Sequence, residues 1–295
     1  MHESVLLKET IDCLDMREGD VLIDGTLGRA GHSIEALGRA KDIFIIGIDR
    51  DTDALSESKA RLEGIGAKFQ LFRGNFGDMD KFLEESGKSK ANRIVLDLGV
   101  SSPHFDSSGR GFSFRKDEPL LMTMEKEENP DAFTAKDIVN SWAEEDIANV
   151  IYAYGEERYA RRIAKAIVAS RAIKPIETTT ELVAIIDGSV PGMYKRGKIH
   201  PATRTFQALR IAVNDELGSL KKGLENAIEI LAPEGRIAVI SFHSLEDRIV
   251  KVVFKEWEKD GKGKNFTKRP MVPMDEEMSR NPRSRSAKLR VFIKA

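Results

Sequence analysis

Short apolar runs alternate with amphipathic stretches over the first hundred residues, and this alternation constrains the fold more than any other feature of the chain. Four runs rich in Ile, Val, Leu and Phe predict buried strands, at residues 21–26, 43–49, 68–74 and 93–99. The stretches between them, at 32–40, 52–64 and 76–87, have the apolar spacing of helices. Strands that alternate with helices indicate right-handed crossovers and a mostly parallel sheet, so we expect an α/β domain. Ligands of such sheets bind beyond the carboxyl ends of the strands.

The alternation stops near residue 107 and resumes near residue 205. Between these points the spacing predicts helices at 131–155, 157–173 and 178–190, and no run resembles a buried strand. A further helix is predicted at 215–235, ending at Pro233 and Gly235, followed by strands at 236–244 and 288–294. We therefore expect the α/β domain to be split into residues 1–106 and 206–295 by an inserted all-helical domain at 107–205.

Composition excludes several classes of protein. The chain has 295 residues, 41% of them hydrophobic, which is ordinary for a globular protein. No apolar run approaches the roughly 20 residues of a membrane span, and MHESVLLKET lacks the pattern of a secretory signal. The single cysteine, Cys13, cannot form an internal disulfide or a cysteine zinc cluster. We expect a cytoplasmic protein with no membrane partner and no metal centre.

The net charge of −1 is uninformative, but the charges are segregated along the chain. Residues 117–146 carry ten acids and two bases, whereas residues 194–210 carry five bases and no acid. The last 35 residues hold ten bases against three acids. Segregated charge of this kind can steer a polyanion, although each patch taken alone is equally well explained as a solvated face.

The segment IDGTLGRAGH (23–32) joins the first predicted strand to the first helix and is a candidate ligand loop. Its glycines, Gly25, Gly28 and Gly31, are three residues apart, which differs from the GxGxxG spacing of dinucleotide-binding folds. That spacing argues against a nicotinamide-dependent oxidoreductase. Glycines let a ligand approach the backbone, and the helix N-terminus beyond them favours a carboxylate. One glycine would satisfy a simple turn, so three of them beside Asp24 favour a ligand.

Asp49 ends the second predicted strand, where doubly wound folds place an acid that accepts hydrogen bonds from ribose hydroxyls. An acid at a strand end is also a common helix cap. Together with the glycine loop, however, Asp49 favours a site for an adenosine-type cofactor. Phe76, after the third strand, is placed to stack on an adenine or to pack in the core. His32 either touches the cofactor or caps its helix.

Two polar clusters follow the later strands. LDLGVSSPHFD (96–106) contains Asp97, where the chain leaves the sheet, and a loop with Ser101, Ser102 and His104 that is placed to close over a ligand. SFHSLEDR (241–248) suggests a substrate wall formed by Ser241, His243, Glu246, Asp247 and Arg248. His243 and Ser244 of this segment are candidate substrate contacts. A serine hydrolase is a poor alternative because the GxSxG elbow is absent.

Two basic segments are candidate RNA contacts. HPATRTFQALRIAVN (200–214) interleaves Arg204 and Arg210 with Phe206, a combination suited to phosphates and unstacked bases. The same segment is also an amphipathic helix whose apolar face, including Phe206, suits a core. The tail NPRSRSAKLR adds four charges suited to phosphates, those of Arg283, Arg285, Lys288 and Arg290.

Together, these segments resemble the MraW family of S-adenosylmethionine-dependent methyltransferases. The resemblance rests on IDGTLGRAGHS, LDLGVSSP, RGFSF, YGEERYARRIA, HPATRTFQALRI and ISFHSLEDRIVK. It runs from HESVLL at residues 2–7 to NPRSRSAKLR at 281–290, which is essentially the whole chain. It implies a Rossmann-like class I methyltransferase domain with an inserted helical domain, which agrees with the break near residue 107.

The resemblance also implies a specific activity, methylation of a cytidine N4 amine in 16S ribosomal RNA, at the decoding region near the P site. The implied partner is that RNA or the small ribosomal subunit, and the inserted domain is expected to recognise it. The implied cofactor is S-adenosylmethionine, contacted at the positions that match Ala30, Gly31, His32, Asp49, Phe76, Asp97 and His104. An activated methyl donor needs no metal, so catalysis is chiefly positioning. We expect Asp97, ionised at neutral pH with an ordinary pKa of about 3.9, or a nearby backbone carbonyl to accept hydrogen bonds from the N4 amine.

One segment departs from the family. EPLLMTM (118–124) stands where the family usually has GPLDMRM, so Leu121 and Thr123 replace an acid and an arginine. This departure supports an alternative function, an RNA-binding ribosome assembly factor that retains the fold with weak or no methyl transfer. The intact glycine loop and Asp49 favour the enzyme, because a pure binder has no use for that pocket. DNA as the substrate is excluded by the resemblance alone.

Overall fold

The computed structural model of the protein describes residues 4–99, 108–125 and 132–295. The described residues form two compact units. The first unit comprises those within Met1–Gly99 and Leu217–Ala295, and the second comprises those within Val100–Glu216. No helix in the described ranges is long and apolar enough to cross a membrane.

The first unit is built on a seven-stranded sheet in the order β3-β2-β1-β4-β5-β7-β6. Strands β1 to β5 pair in parallel, whereas β7 is antiparallel to both β5 and β6. This architecture confirms the predicted α/β fold with a mostly parallel sheet. In chain order the strands are β1 Val21–Asp24, β2 Phe44–Asp49, β3 Lys68–Arg73, β4 Ala91–Asp97, β5 Leu231–Ser241, β6 Gly263–Asn265 and β7 Lys288–Lys294.

Helices flank the sheet and build the second unit, and two short 3-10 turns lie at Phe76–Asp78 and Pro282–Ser286. Helices α5 to α10 belong to the second unit. In chain order the described α-helices are α1 Leu7–Leu14, α2 Gly31–Leu37, α3 Thr52–Gly64, α4 Met79–Glu85, α5 Ala135–Ser141, α6 Glu144–Gly155, α7 Ala160–Arg171, α8 Thr179–Ser189, α9 Gly192–Lys195, α10 Ala202–Asn214, α11 Glu216–Ile230, α12 Ser244–Lys259 and α13 Asp275–Arg280.

Both faces of the sheet are buried, which explains why its strands are nearly continuous apolar runs. Successive side chains of a strand point to opposite faces, so Leu22 and Ile23 of β1 belong to different core clusters. Ile23 packs with residues of α4, α11 and α12, including Leu224 and Phe254. Leu22 packs with residues of α1, α2 and α3. Packing on both faces holds the strands in place, and their parallel pairing puts their carboxyl ends along one edge of the sheet.

The second unit has its own helical core, which includes Ile151 of α6 and Ile163 of α7. The single helix predicted at 131–155 is wrong, because α5 ends at Ser141 and α6 begins at Glu144. Trp142 and Ala143 between them are extended. Arg171 stabilises this break by donating to the Val139 and Trp142 carbonyls at 2.9 and 2.6 Å. The acids of the first turn of α6 complement the positive end of that helix.

Two other predicted boundaries are also wrong. The helix predicted to reach residue 235 ends at Ile230, and β5 begins at Leu231 instead of 236. Pro233 cannot continue a helix, and Glu234 has a φ of 59°, so the chain turns here before the apolar part of the strand. Strand β6 was not predicted, because its three residues are polar and it forms only through pairing with β7.

Candidate functional site

Three neighbouring strands of the sheet end in an aspartate. Asp24, Asp49 and Asp97 are the last residues of β1, β2 and β4, and β1 lies between the other two strands. Because these strands are parallel, their carboxyl ends share one edge of the sheet, as the sequence predicted for an α/β domain. Three carboxylates that meet at this edge create a strongly negative local potential.

Asp24 is almost entirely buried, with 1% of its surface exposed. Its carboxylate accepts a hydrogen bond from the Ser33 hydroxyl at 2.7 Å and a longer one from the Thr26 backbone N–H at 3.4 Å. Burial outweighs these bonds and raises the pKa of Asp24 to about 6, and the nearby charge of Asp49 adds to the rise. A contact of Asp24 with a cofactor stays a prediction.

Asp97 remains partly accessible, yet the surrounding protein removes enough water to raise its pKa to about 7. A hydrogen bond from the Gly99 N–H opposes this rise, and the charges of Asp24 and Glu246 add to it. The expectation of an ordinary pKa is therefore corrected. Because of burial beside other acids, this carboxyl is about half ionised at pH 7. Thr26 fixes its position, because the Asp97 backbone N–H donates to Thr26 Oγ1 at 2.6 Å.

Asp49 holds the glycine loop against the end of β2. Its carboxylate accepts hydrogen bonds from the backbone N–H groups of Gly28 at 2.8 Å and Asp51 at 2.9 Å. A carboxylate offers about four acceptor sites, so these two bonds do not exhaust its capacity. Gly28 has a φ of 49°, a left-handed conformation that favours glycine.

The other glycines of the loop are required by packing within the protein. A Cβ atom at Gly25 would lie 2.5 Å from Leu96 Cδ2 and 2.9 Å from Phe76 Cβ. A Cβ atom at Gly31, the first residue of α2, would collide with the Ser4 side chain. Ala30, immediately before that helix, has a φ of 56° although it carries a Cβ, so the start of α2 is strained. The loop is thus shaped tightly onto the sheet edge.

His32 and Phe76 both have partners inside the first unit. His32 is buried, and its Nε2 lies 3.3 Å from the Val5 carbonyl oxygen. Phe76 is partly buried, and its ring packs so closely on α11 that a Cβ atom at Gly223 would lie 2.7 Å from it. Their contacts with a cofactor stay a prediction.

A second polar group follows β5, where His243 caps helix α12. Its Nδ1 accepts the Glu246 N–H at 3.4 Å, and its Nε2 lies 3.1 Å from Glu246 Oε1. The buried Glu246 in turn accepts the Phe242 and His243 N–H groups at 2.8 and 3.2 Å. Ser244, the first residue of α12, is exposed. The geometry therefore presents a rigid capped turn near Asp97, whose pKa Glu246 raises.

The basic candidates divide into exposed and internally paired residues. In the second unit, Arg210 forms a bidentate ion pair with Glu216 at 2.7 and 2.9 Å, so its charge is already neutralised. Phe206 is buried and packs edge-on against Phe114 at 5.2 Å, which leaves no face for a base. The structure thus favours the core alternative for Phe206, and it shows the charge of Arg210 engaged within the protein.

Arg204 lines a cavity in the second unit, and Arg283 and Arg285 are exposed in the first unit. Ser101, Ser102 and His104 lie outside the described residues. Ser33 is a site residue that the sequence does not reveal, because nothing in its spacing indicates that its hydroxyl donates to Asp24.

The edge suits a cationic ligand that carries ribose hydroxyls. Asp24 and Asp97 are carboxyl groups for which ionisation is costly, and a positive charge placed beside them would reduce that cost. Asp49 occupies the strand end where ribose hydroxyls are bound in doubly wound folds. S-adenosylmethionine has both features, a sulfonium with an ammonium group and a ribose, so the residues present fit this cofactor.

The sheet order with its reversed seventh strand, together with the acidic edge and the glycine loop, defines a class I methyltransferase that uses S-adenosylmethionine. The model of the MraW methylase family matches residues 1–295. The chain therefore belongs to the MraW methylase family.

Curated relatives cover nearly the whole chain. Proteins named ribosomal RNA small subunit methyltransferase H are 44% identical in Lachnospira eligens and 46% identical in Symbiobacterium thermophilum, over 99% of this chain and 96% of each relative. The Clostridium botulinum protein of that name is 47% identical, over 99% of this chain and 98% of its own length. A solved structure from Clostridium thermocellum, described as a putative rRNA-methylase, covers 100% of both chains at 11% identity with a TM-score of 0.48. The family assignment rests on the sequence matches.

Proposed function

We propose that this protein transfers a methyl group from S-adenosylmethionine to the N4 amine of a cytidine in 16S ribosomal RNA, at the decoding region. The observation that carries the proposal is the full-length identity of 44–47% to proteins named for methylating small-subunit ribosomal RNA. The cytidine N4 target comes from the resemblance of the motifs. The acidic strand edge supports it, because an amine needs a nearby acceptor for its N–H groups.

In this proposal Asp97 is the residue that contacts the reacting amine. When bound, S-adenosylmethionine supplies a methyl group already activated on a positively charged sulfur. The amine of cytosine is a poor nucleophile because its lone pair is delocalised into the ring. The ionised Asp97 carboxylate accepts an N4–H hydrogen bond and thereby favours the more nucleophilic, tetrahedral amine. Thr26 positions the residue by accepting its backbone N–H at 2.6 Å.

The raised pKa of Asp97 gives the residue a second role. Methylation turns the amine into a cationic nitrogen, which must lose a proton. A carboxylate with a pKa of about 7 accepts a proton more readily than an ordinary aspartate, and such a value suits a base working near neutral pH. A bound sulfonium stabilises the ionised carboxylate and lowers this pKa, so we expect turnover to decline only at a pH below 7, as Asp97 becomes protonated.

RNA contact is proposed for the exposed Arg283 and Arg285 of the first unit and for Arg204 of the second, in a reaction located in the cytoplasm. The helical unit is proposed to recognise the RNA substrate. The target base must be unstacked from the RNA, since its N4 amine is otherwise engaged in pairing. His243 and Ser244, at the turn near Asp97, are proposed to line the place that this base enters.

The experiment is methyl transfer from labelled S-adenosylmethionine to free 16S ribosomal RNA and to 30S subunits, followed by mapping of the modified base. We expect one N4-methylated cytidine in the decoding region. Asp97→Asn keeps the size of the side chain and removes its basicity, so turnover should fall at least 100-fold, as for loss of a general base. Donor affinity and melting temperature report separately on binding and folding. A label at another atom or in another RNA would reject the proposed target.

The second candidate, an RNA-binding assembly factor with little methyl transfer, is favoured by one observation. Thr123, at the position where the family usually has an arginine, is buried and its hydroxyl has no hydrogen-bond partner among the described residues. Its segment is held by Asn214, which donates to the Met122 carbonyl and accepts the Met124 N–H. If the wild type binds RNA and S-adenosylmethionine but transfers no methyl group, while Leu121→Asp with Thr123→Arg restores transfer, the second candidate is correct.

A further inference from the structure

The second unit contains an open cavity of about 270 Å³, and of its lining residues the proposed function involves only Arg204. Its lining includes three cations, Arg158, Lys198 and Arg204, together with Tyr194 and the apolar side chains of Met193 and Ile199. None of the described residues that line it is acidic. The volume lies just below the roughly 300–1,000 Å³ of sites for whole small molecules, so it is sized for one residue of a longer ligand.

The floor of the cavity is rigid. The fully buried Glu157 accepts the Tyr159 backbone N–H at 2.8 Å and the hydroxyl proton of Tyr194. The rings of Tyr159 and Tyr194 meet edge to face with centroids 4.9 Å apart. Tyr194 is thereby fixed at both its ring and its hydroxyl group.

The two arginines are held in place by different means. The Arg158 guanidinium lies over both tyrosine rings, 4.9 Å from the centroid of Tyr159 and 5.0 Å from that of Tyr194, within the range of cation–π attraction. The backbone of Arg204 approaches α6 so closely that a Cβ atom at Gly155 would lie 2.6 Å from its carbonyl oxygen. This contact explains why glycine ends that helix, and it sets the position from which Arg204 reaches the cavity.

The nearest acid described above, Glu157, accepts hydrogen bonds from Tyr159 and Tyr194 and pairs with none of the three cations of the cavity. Within the described parts of the chain, Arg158, Lys198 and Arg204 form no ion pair with an acid. This distinguishes them from Arg210 on the same helix as Arg204, which is paired with Glu216. Arginine guanidinium groups are suited to bidentate recognition of phosphate. Met193 is 86% exposed and Ile199 is 49% exposed, so an apolar surface suited to a base face adjoins the cations.

We propose that this cavity binds one nucleotide of a single-stranded RNA segment. The cations hold its phosphate, and the exposed apolar side chains contact its base. The inference rests on the proposed function for the nature of the polyanion, and it adds a site on the helical unit at which the RNA is held. Phosphate contact with a fixed arginine pair and a lysine also accounts for the absence of acids from the lining.

The test measures binding of a fluorescent single-stranded RNA octamer to the full chain at several salt concentrations. Arg158→Gln combined with Lys198→Gln should weaken binding at least tenfold and flatten the log–log salt dependence by about 0.7 for each lost contact. The matched control is Arg161→Gln combined with Lys165→Gln, which removes the same charge from exposed positions of α7 outside the cavity. The control should retain most of the affinity. Arg158→Lys keeps the charge and loses the planar guanidinium group, so its RNA affinity should lie between those of the wild type and the double variant.

Equal loss of affinity in the cavity variant and the control would overturn the inference, because a diffuse charge effect would then suffice. A poly-glutamate peptide serves as a second probe, and loss of its binding with unchanged RNA affinity would identify an acidic protein partner and also overturn the inference. A thermal unfolding curve like that of the wild type confirms that each variant is folded. A wild type that binds the octamer through this cavity but methylates no ribosomal RNA would refute the proposed function and leave the cavity inference standing.

Discussion

Replacing Asp24 with asparagine is expected to stabilise the free protein at alkaline pH and to weaken its hold on a cationic methyl donor. Burial raises the pKa of Asp24 to about 6 from an ordinary value of 3.8. A difference of about two pKa units corresponds to roughly 3 kcal/mol by which ionisation of this carboxyl destabilises the folded state. Asparagine carries no charge, but it weakens the bond from Ser33 at a cost of about 1 kcal/mol. The net gain at pH 8 is therefore about 2 kcal/mol.

The pH dependence follows from the direction of the shift. Because the folded pKa lies above the unfolded one, the wild-type carboxyl contributes stability that is fully present below about pH 4. This contribution declines as the pH rises and is lost above the folded pKa of about 6. Asp24→Asn lacks this decline. We therefore expect nearly equal stabilities of the two proteins at pH 4.5 and a gap of about 2 kcal/mol in favour of the variant at pH 8.

Urea unfolding at both pH values measures the gap, and calorimetric titration with S-adenosylmethionine at pH 8 measures the affinity. Asp260→Asn, at an exposed position, is the control for loss of a negative charge. A stability difference between Asp24→Asn and wild type that is the same at both pH values would refute the electrostatic reasoning. A stabilised variant with unchanged donor affinity would show that the charge of Asp24 does not act on the cofactor.

Three further changes test other parts of the site. Asp49→Ala should weaken S-adenosylmethionine binding by one to two decades, because hydrogen bonds to a charged group contribute about 1.5–3 kcal/mol. Calorimetry on the folded variant measures this affinity, and an unchanged value would show that Asp49 is not part of the site. Arg283→Ala with Arg285→Ala should weaken RNA binding and flatten its salt dependence while donor affinity stays the same, and an unaltered slope would exclude phosphate contact by this pair. Thr123→Val replaces the unpartnered buried hydroxyl with a methyl group, so thermal unfolding should show a gain of about 1 kcal/mol, and a loss would reveal a partner for that hydroxyl.

The predictability of the fold depended on how much each element is determined by its own residues. Buried parallel strands are apolar along their whole length, so β1 to β4 were found within two residues at each end. The break between α5 and α6 was missed because it depends on Arg171, 29 residues beyond Trp142, which stabilises the extended backbone. Strand β6 has no apolar signal at all and depends on its pairing with β7. Contacts that are distant in the sequence therefore account for these errors.

The site was predictable in its positions and less so in its chemistry. Parallel topology brings Asp24, Asp49 and Asp97 to one edge, and the strand pattern was sufficient to place them there. Their protonation was not predictable, because the pKa of Asp97 depends on burial and on the charges of Asp24 and Glu246 in three dimensions. The sequence was also insufficient for the two arginines of helix α10. Arg204 and Arg210 belong to the same amphipathic segment, and only the structure shows that Arg210 is paired with Glu216.

Features that destabilise the free protein gather at the same strand edge. Ala30 adopts a left-handed conformation that costs an alanine roughly 1–2 kcal/mol, and Asp24 and Asp97 resist ionisation. A cation bound at this edge recovers the electrostatic part of that cost, because the ionised carboxylates then have a positive neighbour. The carboxylates should consequently bind the positively charged sulfonium donor more tightly than the neutral thioether that remains after methyl transfer. The arrangement that weakens the free fold thus also favours release of the product.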